Sequence, residues 1–96
     1  MIFNLDDINK VVFRTNAGET IGSGHLNRCL ALASKFKKSY NNIKIIWIVN
    51  EEAKSSLLAY QEVFIFNDYS NNDVNFINQI NPDIIIIDSY IPDHQY

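Results

Sequence analysis

The 96-residue sequence has a single cysteine, Cys29, and only two prolines and three glycines. One cysteine cannot form an internal disulfide, which excludes the small disulfide-stabilised class of secreted domain. The shortage of proline and glycine excludes collagen-like repeats, and the 47% of hydrophobic residues excludes bulk disorder. The chain is therefore expected to form one globular domain with a core of its own.

Basic residues are also few, since 8 Lys and Arg stand against 11 Asp and Glu and the net charge is −3. This balance argues against a dedicated nucleic-acid or anionic-membrane binder. No apolar run approaches the ~20 residues that a membrane-spanning helix needs. Met1–Lys10 carries Asp6 and Asp7 instead of the basic start and apolar centre of a signal peptide. We therefore expect a cytoplasmic protein without a membrane span or a nucleic-acid partner.

Four short apolar runs alternate with segments of helix length. The second and fourth runs are nearly continuous in Ile and Val, which is typical of strands buried on both faces of a parallel sheet. The order β-α-β-α-β-α-β with right-handed crossovers predicts an α/β fold with a partial doubly wound, parallel, Rossmann-like sheet. The predicted strands are Val11–Phe13, Ile43–Val49, Val63–Phe66 and Ile84–Ile87, and the predicted helices are Ser23–Lys38, Glu51–Gln61 and Asn72–Ile80.

The first predicted helix has one apolar stripe and ends in lysines, which suit the negative end of the helix dipole. Cys29 belongs to this stripe, so we interpret it as a core residue. Together with His25 it lacks the third ligand that a metal site needs, and His94 is interpreted as part of a turn. The stripe consists of Leu26, Cys29, Leu30, Ala33 and Phe36.

The loop between the first strand and the first helix is the most informative candidate site. Ligands of open α/β sheets bind beyond the carboxyl ends of the strands, where the loop Arg14–Gly24 is expected to lie. Gly22 and Gly24 allow the backbone to approach a ligand closely, and the N–H groups of the first helical turn attract an anion. The same spacing also fits a plain tight turn between strand and helix.

Neither common phosphate-binding motif matches this loop in full. A P-loop requires a lysine, and the loop contains none. The dinucleotide fingerprint G-x-G-x-x-G finds its first two glycines at Gly22 and Gly24, but Asn27 occupies the third position and Gly22 lies far from the strand. Glu51 is placed to act as the ribose-binding acid, so an NAD-binding domain remains an alternative.

His25 is the candidate catalytic residue. It falls in the first turn of the predicted helix, where the helix dipole disfavours the imidazolium, and a neutral imidazole can accept a proton from water. Arg28 shares its helix face, and a cation at this end of a helix suggests an acidic partner such as Asp88, or an anionic ligand. Structural alternatives remain: His25 as a local cap, Arg28 as a solvated side chain and Asp88 as the end of a strand.

The loop and helix resemble the amino-terminal signature of the UDP-sugar hydrolases of pseudaminic acid biosynthesis. Arg14–Ala17 (RTNA) and Ile21–Ala33 (IGSGHLNRCLALA) are similar to the family pattern R-[AT]-D-[AGS], a short spacer, then I-G-x-G-H-x-x-R-C-L-x-L-A. Ile84–Tyr90 (IIIIDSY) is similar to the family's second segment, an apolar strand that ends in Asp-x-Tyr. These enzymes cleave UDP-2,4-diacetamido-2,4,6-trideoxy-β-L-altropyranose, and related proteins are assigned to spore-coat polysaccharide biosynthesis.

The resemblance implies a GT-B architecture, in which two Rossmann-like domains face each other across a cleft. It implies that His25 is the catalytic residue, which activates water for attack on the anomeric carbon with inversion and release of UDP. Neither a metal nor another cofactor is expected for this chemistry. The residues predicted to bind the nucleotide-sugar substrate are Arg14, Asn16, Gly22, Gly24, Arg28, Asp88 and Tyr90.

The sequence departs from the family pattern in three ways. Asn16 stands where the family usually has Asp, and residues 1–9 form an unusual lead. Residues 10–96 are interpreted as a truncated Rossmann-like amino-terminal domain without the carboxyl-terminal nucleotide-binding domain. We therefore expect little hydrolase activity from this chain alone, and a complete site only with the missing domain or a partner chain. The acceptor-side domain of a GT-B glycosyltransferase and a non-catalytic partner-binding module are the competing hypotheses.

Overall fold

The computed structural model describes residues 8–18, 22, 24–40, 42–66 and 71–88. Within these ranges the strands form one parallel sheet with the order β3-β2-β1-β4. This confirms the predicted α/β class with a parallel, Rossmann-like sheet. The elements are β1 (Lys10–Thr15), α1 (Gly24–Ser39), β2 (Lys44–Val49), a 3₁₀ helix (Glu51–Leu57), β3 (Val63–Ile65), α2 (Asn71–Ile80) and β4 (Ile84–Asp88).

Successive residues of β1 point into two different cores, one on each face of the sheet. Val11 and Phe13 face α1 and the 3₁₀ helix, whereas Val12 faces α2 together with Ile77. The predicted apolar stripe of α1 is confirmed, because all five of its residues pack into the first core. Burial on both sides explains why β1 and β2 read as nearly continuous apolar runs.

The chain reverses its direction across the sheet between β1 and β4. The crossovers from β1 through β2 to β3 move one way, and the crossover through α2 returns the chain to the far side of β1. Thr15 pairs with Asp88 as the last residues in register between β1 and β4. Ligands of open α/β sheets bind at such a switch point, beyond the carboxyl ends of the strands.

Residues typical of helix C-termini mark the ends of α1 and α2. Lys37 and Lys38 occupy the last turn of α1, and α2 is followed by Asn81, whose φ of 54° and N–H bond to the Ile77 carbonyl close the helix. Pro82 then prevents its continuation. None of the helices in the described ranges has the length and apolar character needed to cross a bilayer.

The predicted α-helix over Glu51–Gln61 is wrong, because the structure has only a 3₁₀ helix over Glu51–Leu57. Asn50 occupies its N-cap position but makes no side-chain cap bond. The Asn50 amide instead bonds to both the N–H and the carbonyl of Ala17. An uncapped segment with two consecutive serines has little tendency to extend into a longer helix.

Strand β4 also differs from the prediction of burial on both faces. Ile84 and Ile86 pack against the first core, whereas Ile85 and Ile87 are 46% and 45% exposed. The reason is topological: α2 packs over β1, β2 and β3 on that face, and β4 lies at the edge of the described sheet. A pure isoleucine run does not distinguish its covered face from its uncovered one.

The predicted lead of residues 1–9 overlaps the fold at its last two positions. Ile8 is 5% exposed and belongs to the first core. The N–H groups of Asn9 and Lys10 both donate to Asp83 Oδ2, over 2.7 and 2.9 Å. These bonds fix the start of β1 to the residue that precedes β4.

Candidate functional site

His25, Arg28 and Asp88 meet at the carboxyl end of β4, and we call these three residues the switch-point cluster. Asp88 ends β4, while His25 and Arg28 lie in the first turns of α1. Arg28 donates from Nε to Asp88 Oδ2 and from Nη2 to Asp88 Oδ1, both over 2.8 Å. The same Oδ1 lies 2.7 Å from His25 Nδ1. The cluster thus joins the first helix to the last described strand at the switch point.

The acidic partner predicted for Arg28 is confirmed as Asp88. The two-pronged contact between guanidinium and carboxylate is the geometry that makes such pairs strong and directional. It also offsets the unfavourable position of a cation near a helix N-terminus. The Arg28 side chain remains 61% exposed, so the guanidinium is also accessible from solvent.

His25 Nδ1 has two neighbours with opposite requirements. Asp88 Oδ1 accepts a hydrogen bond, whereas Arg28 Nη2, 2.8 Å away, donates one. Nη2 already donates to Asp88 Oδ1, and a charged carboxylate is the stronger partner for Nδ1. We therefore assign the imidazole proton to Nδ1, which places the basic lone pair on Nε2. A histidine oriented by a carboxylate in this way has the arrangement of a general base.

The Asp88 carboxylate is held in its charged form. The pKa of Asp88 is lowered to about 2, chiefly by the hydrogen bonds from Arg28 and to a smaller extent by the His25 contact, with burial opposing the change. Asp88 is therefore ionised at neutral pH and able to stabilise an imidazolium on His25.

We expect the Asp88 carboxylate to make stability depend on pH in the acid range. A carboxyl whose pKa falls from an ordinary 3.8 to about 2 on folding stabilises the protein above pH ~4, and this stabilisation is lost as the pH falls toward 2. After allowance for the exposed Arg28, the contribution is about 1–2 kcal/mol. Urea unfolding of wild type and Asp88→Asn at pH 7, 4 and 2 measures it as a difference that shrinks between pH 4 and pH 2.

The comparison between variants is needed because Asp88 is not alone in this behaviour. The N–H groups of Asn9 and Lys10 also lower the pKa of Asp83, so the wild type has a second source of acid sensitivity. Glu62→Gln is the matched control, since its contact with Lys44 is 3.5 Å long and exposed and contributes less than about 1 kcal/mol at any pH. A constant difference between wild type and Asp88→Asn from pH 7 to pH 2 would contradict the assignment.

Cys29 is a core thiol, as predicted. Its side chain is 2% exposed, and burial together with the charge of Asp88 raises its pKa to about 11. A protonated, inaccessible thiol does not act as a nucleophile at neutral pH. Among the described residues, no group of three or more His, Cys, Asp or Glu is placed to hold a metal ion.

The loop that follows β1 is fixed at both ends of its described part. The Asn50 amide clamps Ala17, with an N–H to Oδ1 distance of 3.0 Å and an Nδ2 to carbonyl distance of 2.7 Å. Gly18 and Gly22 then bond to each other in both directions. Gly22 has φ 84°, a conformation that side chains disfavour. Gly24 begins α1, and the positions between Gly18 and Gly24, apart from Gly22, lie outside the described residues.

The sequence predicts that Arg14 begins the loop after the first strand. In the structure, Arg14 instead lies within β1 and faces α2. Its fully buried guanidinium donates from Nε to Asp73 Oδ2 over 3.0 Å and from Nη1 to Asn16 Oδ1 over 2.8 Å. It also donates to the carbonyls of Ile48 and Phe66, at 3.2 and 2.9 Å. The guanidinium therefore ties together the carboxyl ends of β1, β2 and β3, and a ligand must displace one of these partners to reach it.

Asn16 belongs to this buried network as well, with 5% of its surface exposed. The amide oxygen at this position provides the acceptor for Arg14 without the negative charge of an Asp side chain. Tyr90 and His94, for which the sequence predicts a substrate contact and a turn, lie outside the described residues. The structure thus brings His25, Arg28 and Asp88 together, and it places Arg14 and Asn16 in a separate network on the α2 side.

Two contributors to these networks were not among the sequence-based candidates. Asn50 follows the buried strand β2 directly, a position at the carboxyl edge of the sheet that marks it in retrospect. Asp73, in the first turn of α2, gives no such signal, because an acid there is ordinary for a helix N-terminus. Their partners are 33 and 59 residues away in sequence.

Comparison of the chain with protein-family models, curated proteins and solved structures gave no match.

Proposed function

We propose that this chain is the amino-terminal part of a UDP-sugar hydrolase in which His25 is the general base. The observation that carries the proposal is the 2.7 Å contact between His25 Nδ1 and Asp88 Oδ1 at the switch point of the sheet. The resemblance of residues 14–33 to the UDP-sugar hydrolases of pseudaminic acid biosynthesis supplies the substrate class. The proposal includes a cytoplasmic location and a role in nonulosonic acid or surface polysaccharide biosynthesis.

The proposed reaction is a single displacement at the anomeric carbon. His25 Nε2 takes a proton from water as the water oxygen attacks that carbon from the face opposite the leaving group. The bond between the anomeric carbon and the phosphate oxygen breaks, and its electron pair leaves with UDP. Asp88, ionised and bonded to Nδ1, stabilises the imidazolium that forms. Attack from the opposite face inverts the anomeric configuration.

The surroundings of the switch-point cluster suit an anionic substrate. The first turn of the 16-residue helix α1 contains no acidic residue, and its N–H groups and dipole favour negative charge. The Arg28 side chain is 61% exposed beside it. In the proposal, this edge faces the diphosphate and sugar, while most nucleotide contacts come from a second domain or a partner chain.

The proposal is tested with UDP-2,4-diacetamido-2,4,6-trideoxy-β-L-altropyranose in water enriched in ¹⁸O. We expect UDP release with ¹⁸O in the sugar and none in UDP, and ¹H NMR should show the inverted anomer first. The reaction is run with this chain, with the longer product if the reading frame continues beyond Tyr96, and with any separately encoded second domain. Absence of UDP release from all of these contradicts the proposal.

The same assay separates the hydrolase from its nearest alternatives. A glycosyltransferase releases UDP only when a sugar or lipid acceptor is added, and the sugar then appears on that acceptor. A dinucleotide-binding domain instead changes the fluorescence of NADH on titration. In the structure, residues 16–23 connect β1 to α1, and this connection is longer than the tight turn of the dinucleotide fingerprint.

A further inference from the structure

Thr15 joins the end of β1 to the end of β4 through its side chain. It is the last residue of β1, it is fully buried, and it pairs in register with Asp88. Its hydroxyl Oγ1 donates to the main-chain carbonyl of Asp88 over 2.8 Å. The hydroxyl also lies beside the Cys29 thiol and lowers the pKa of that group, against the larger effect of burial.

The position of the Asp88 carboxylate depends on how firmly the end of β4 is held. In the described sheet, β4 is an edge strand with β1 as its neighbour, and the register between them ends at Thr15 and Asp88. A strand end with one neighbour frays most easily. The Thr15 bond fixes the Asp88 main chain at this point, and a β-branched side chain has few rotamers in which to move.

We propose that Thr15 is a positioning residue that holds Asp88, and through Asp88 the Nδ1–H tautomer of His25. This inference rests on the proposed function, because it supports the base that the hydrolysis requires. Thr15 itself is buried behind the cluster and contacts no substrate. Its role is to keep the carboxylate oxygen within hydrogen-bond distance of Nδ1 as the ring takes up and releases its proton.

The test is Thr15→Val, which keeps the shape and β-branching of the side chain and removes the hydroxyl. Two-dimensional ¹H–¹⁵N NMR of the imidazole nitrogens reports the tautomer directly. We expect the His25 signals to move from the Nδ1–H pattern in wild type toward the mixed pattern in Thr15→Val. Where hydrolysis is measurable, we expect kcat to fall at least about tenfold, with the far-UV circular dichroism unchanged.

Two further variants isolate the contact with Asp88. Thr15→Ser retains the hydroxyl and should restore the wild-type tautomer, whereas Cys29→Ala removes the thiol beside the hydroxyl and should leave the tautomer unchanged. If Thr15→Val does not fold in buffer, the spectra are recorded in trimethylamine N-oxide, which favours the compact state. A wild-type tautomer pattern in folded Thr15→Val overturns the proposal.

The spectroscopic result is independent of the enzymatic one. A tautomer change in Thr15→Val without any hydrolysis by the wild type would support the positioning role and contradict the proposed function. Hydrolysis by the wild type, with an unchanged tautomer and rate in Thr15→Val, would support the function and overturn the positioning role. The two proposals therefore fail separately.

Discussion

Replacing Asp73 with alanine is expected to remove about 3–5 kcal/mol from the free energy of unfolding. The Asp73 carboxylate and the Arg14 guanidinium are both fully buried, and Nε lies 3.0 Å from Oδ2. Without the carboxylate, the guanidinium keeps its neutral partners but loses the buried charge opposite it. The free energy of unfolding of such a domain is only about 5–15 kcal/mol in total. The variant should therefore unfold at a far lower urea concentration than wild type.

The controls separate two effects of Asp73→Ala: the uncompensated charge of the buried Arg14 guanidinium and the loss of the Asp73 side chain. Asp73→Asn keeps the size of the side chain and an oxygen acceptor for Arg14 Nε but removes the negative charge, so its cost measures the charge without the loss of the side chain and should be smaller than that of Asp73→Ala. Glu62→Ala breaks an exposed contact with Lys44 and should cost less than about 1 kcal/mol. If Asp73→Ala costs no more than Glu62→Ala, the buried pair has no stabilising role.

The spacing of apolar residues was sufficient to predict most of the strands and helices, because the faces that pack into the two cores must be apolar. The runs at Val11–Phe13 and Ile84–Ile87 both became strands of a parallel sheet, and the apolar stripe of α1 became its buried face. Periodicity failed where the outcome depends on distant residues. The Asn50 amide precedes the helix at Glu51 but bonds to Ala17 in the loop after β1, so it does not cap that helix.

In the candidate site, too, some contacts could be predicted from the sequence and others depend on residues far away in the chain. The pairing of Arg28 with Asp88 was predictable, because a cation near a helix N-terminus needs compensation and Asp88 ends a strand at the same edge of the sheet. The burial of Arg14 was not, because its position in the motif suggests a ligand contact while its partner Asp73 lies 59 residues away. The contact of Thr15 with Asp88 was not predictable either, because the β propensity of threonine is enough to explain its place at the end of a strand.

The largest expected effect on activity is that of His25→Gln. If Nε2 accepts the proton of the attacking water, its loss should lower kcat of UDP-sugar hydrolysis by about 10²–10⁴-fold. The effect on KM should be small, because the base acts on water in the transition state and not on the bound nucleotide. The measurement is UDP release at saturating substrate, with the catalytically competent form of the protein identified by the ¹⁸O experiment.

The fold of His25→Gln should persist, because Asp88 keeps its two-pronged contact with Arg28. We expect a free energy of unfolding within about 1 kcal/mol of wild type, by comparison with the worth of one hydrogen bond. His94→Gln replaces the other histidine of the chain and is the matched control, with an expected kcat equal to that of wild type. Added imidazole should partly restore the rate of His25→Ala by supplying the missing base. Full activity in folded His25→Gln would assign the base to another group and leave His25 a structural partner of Asp88.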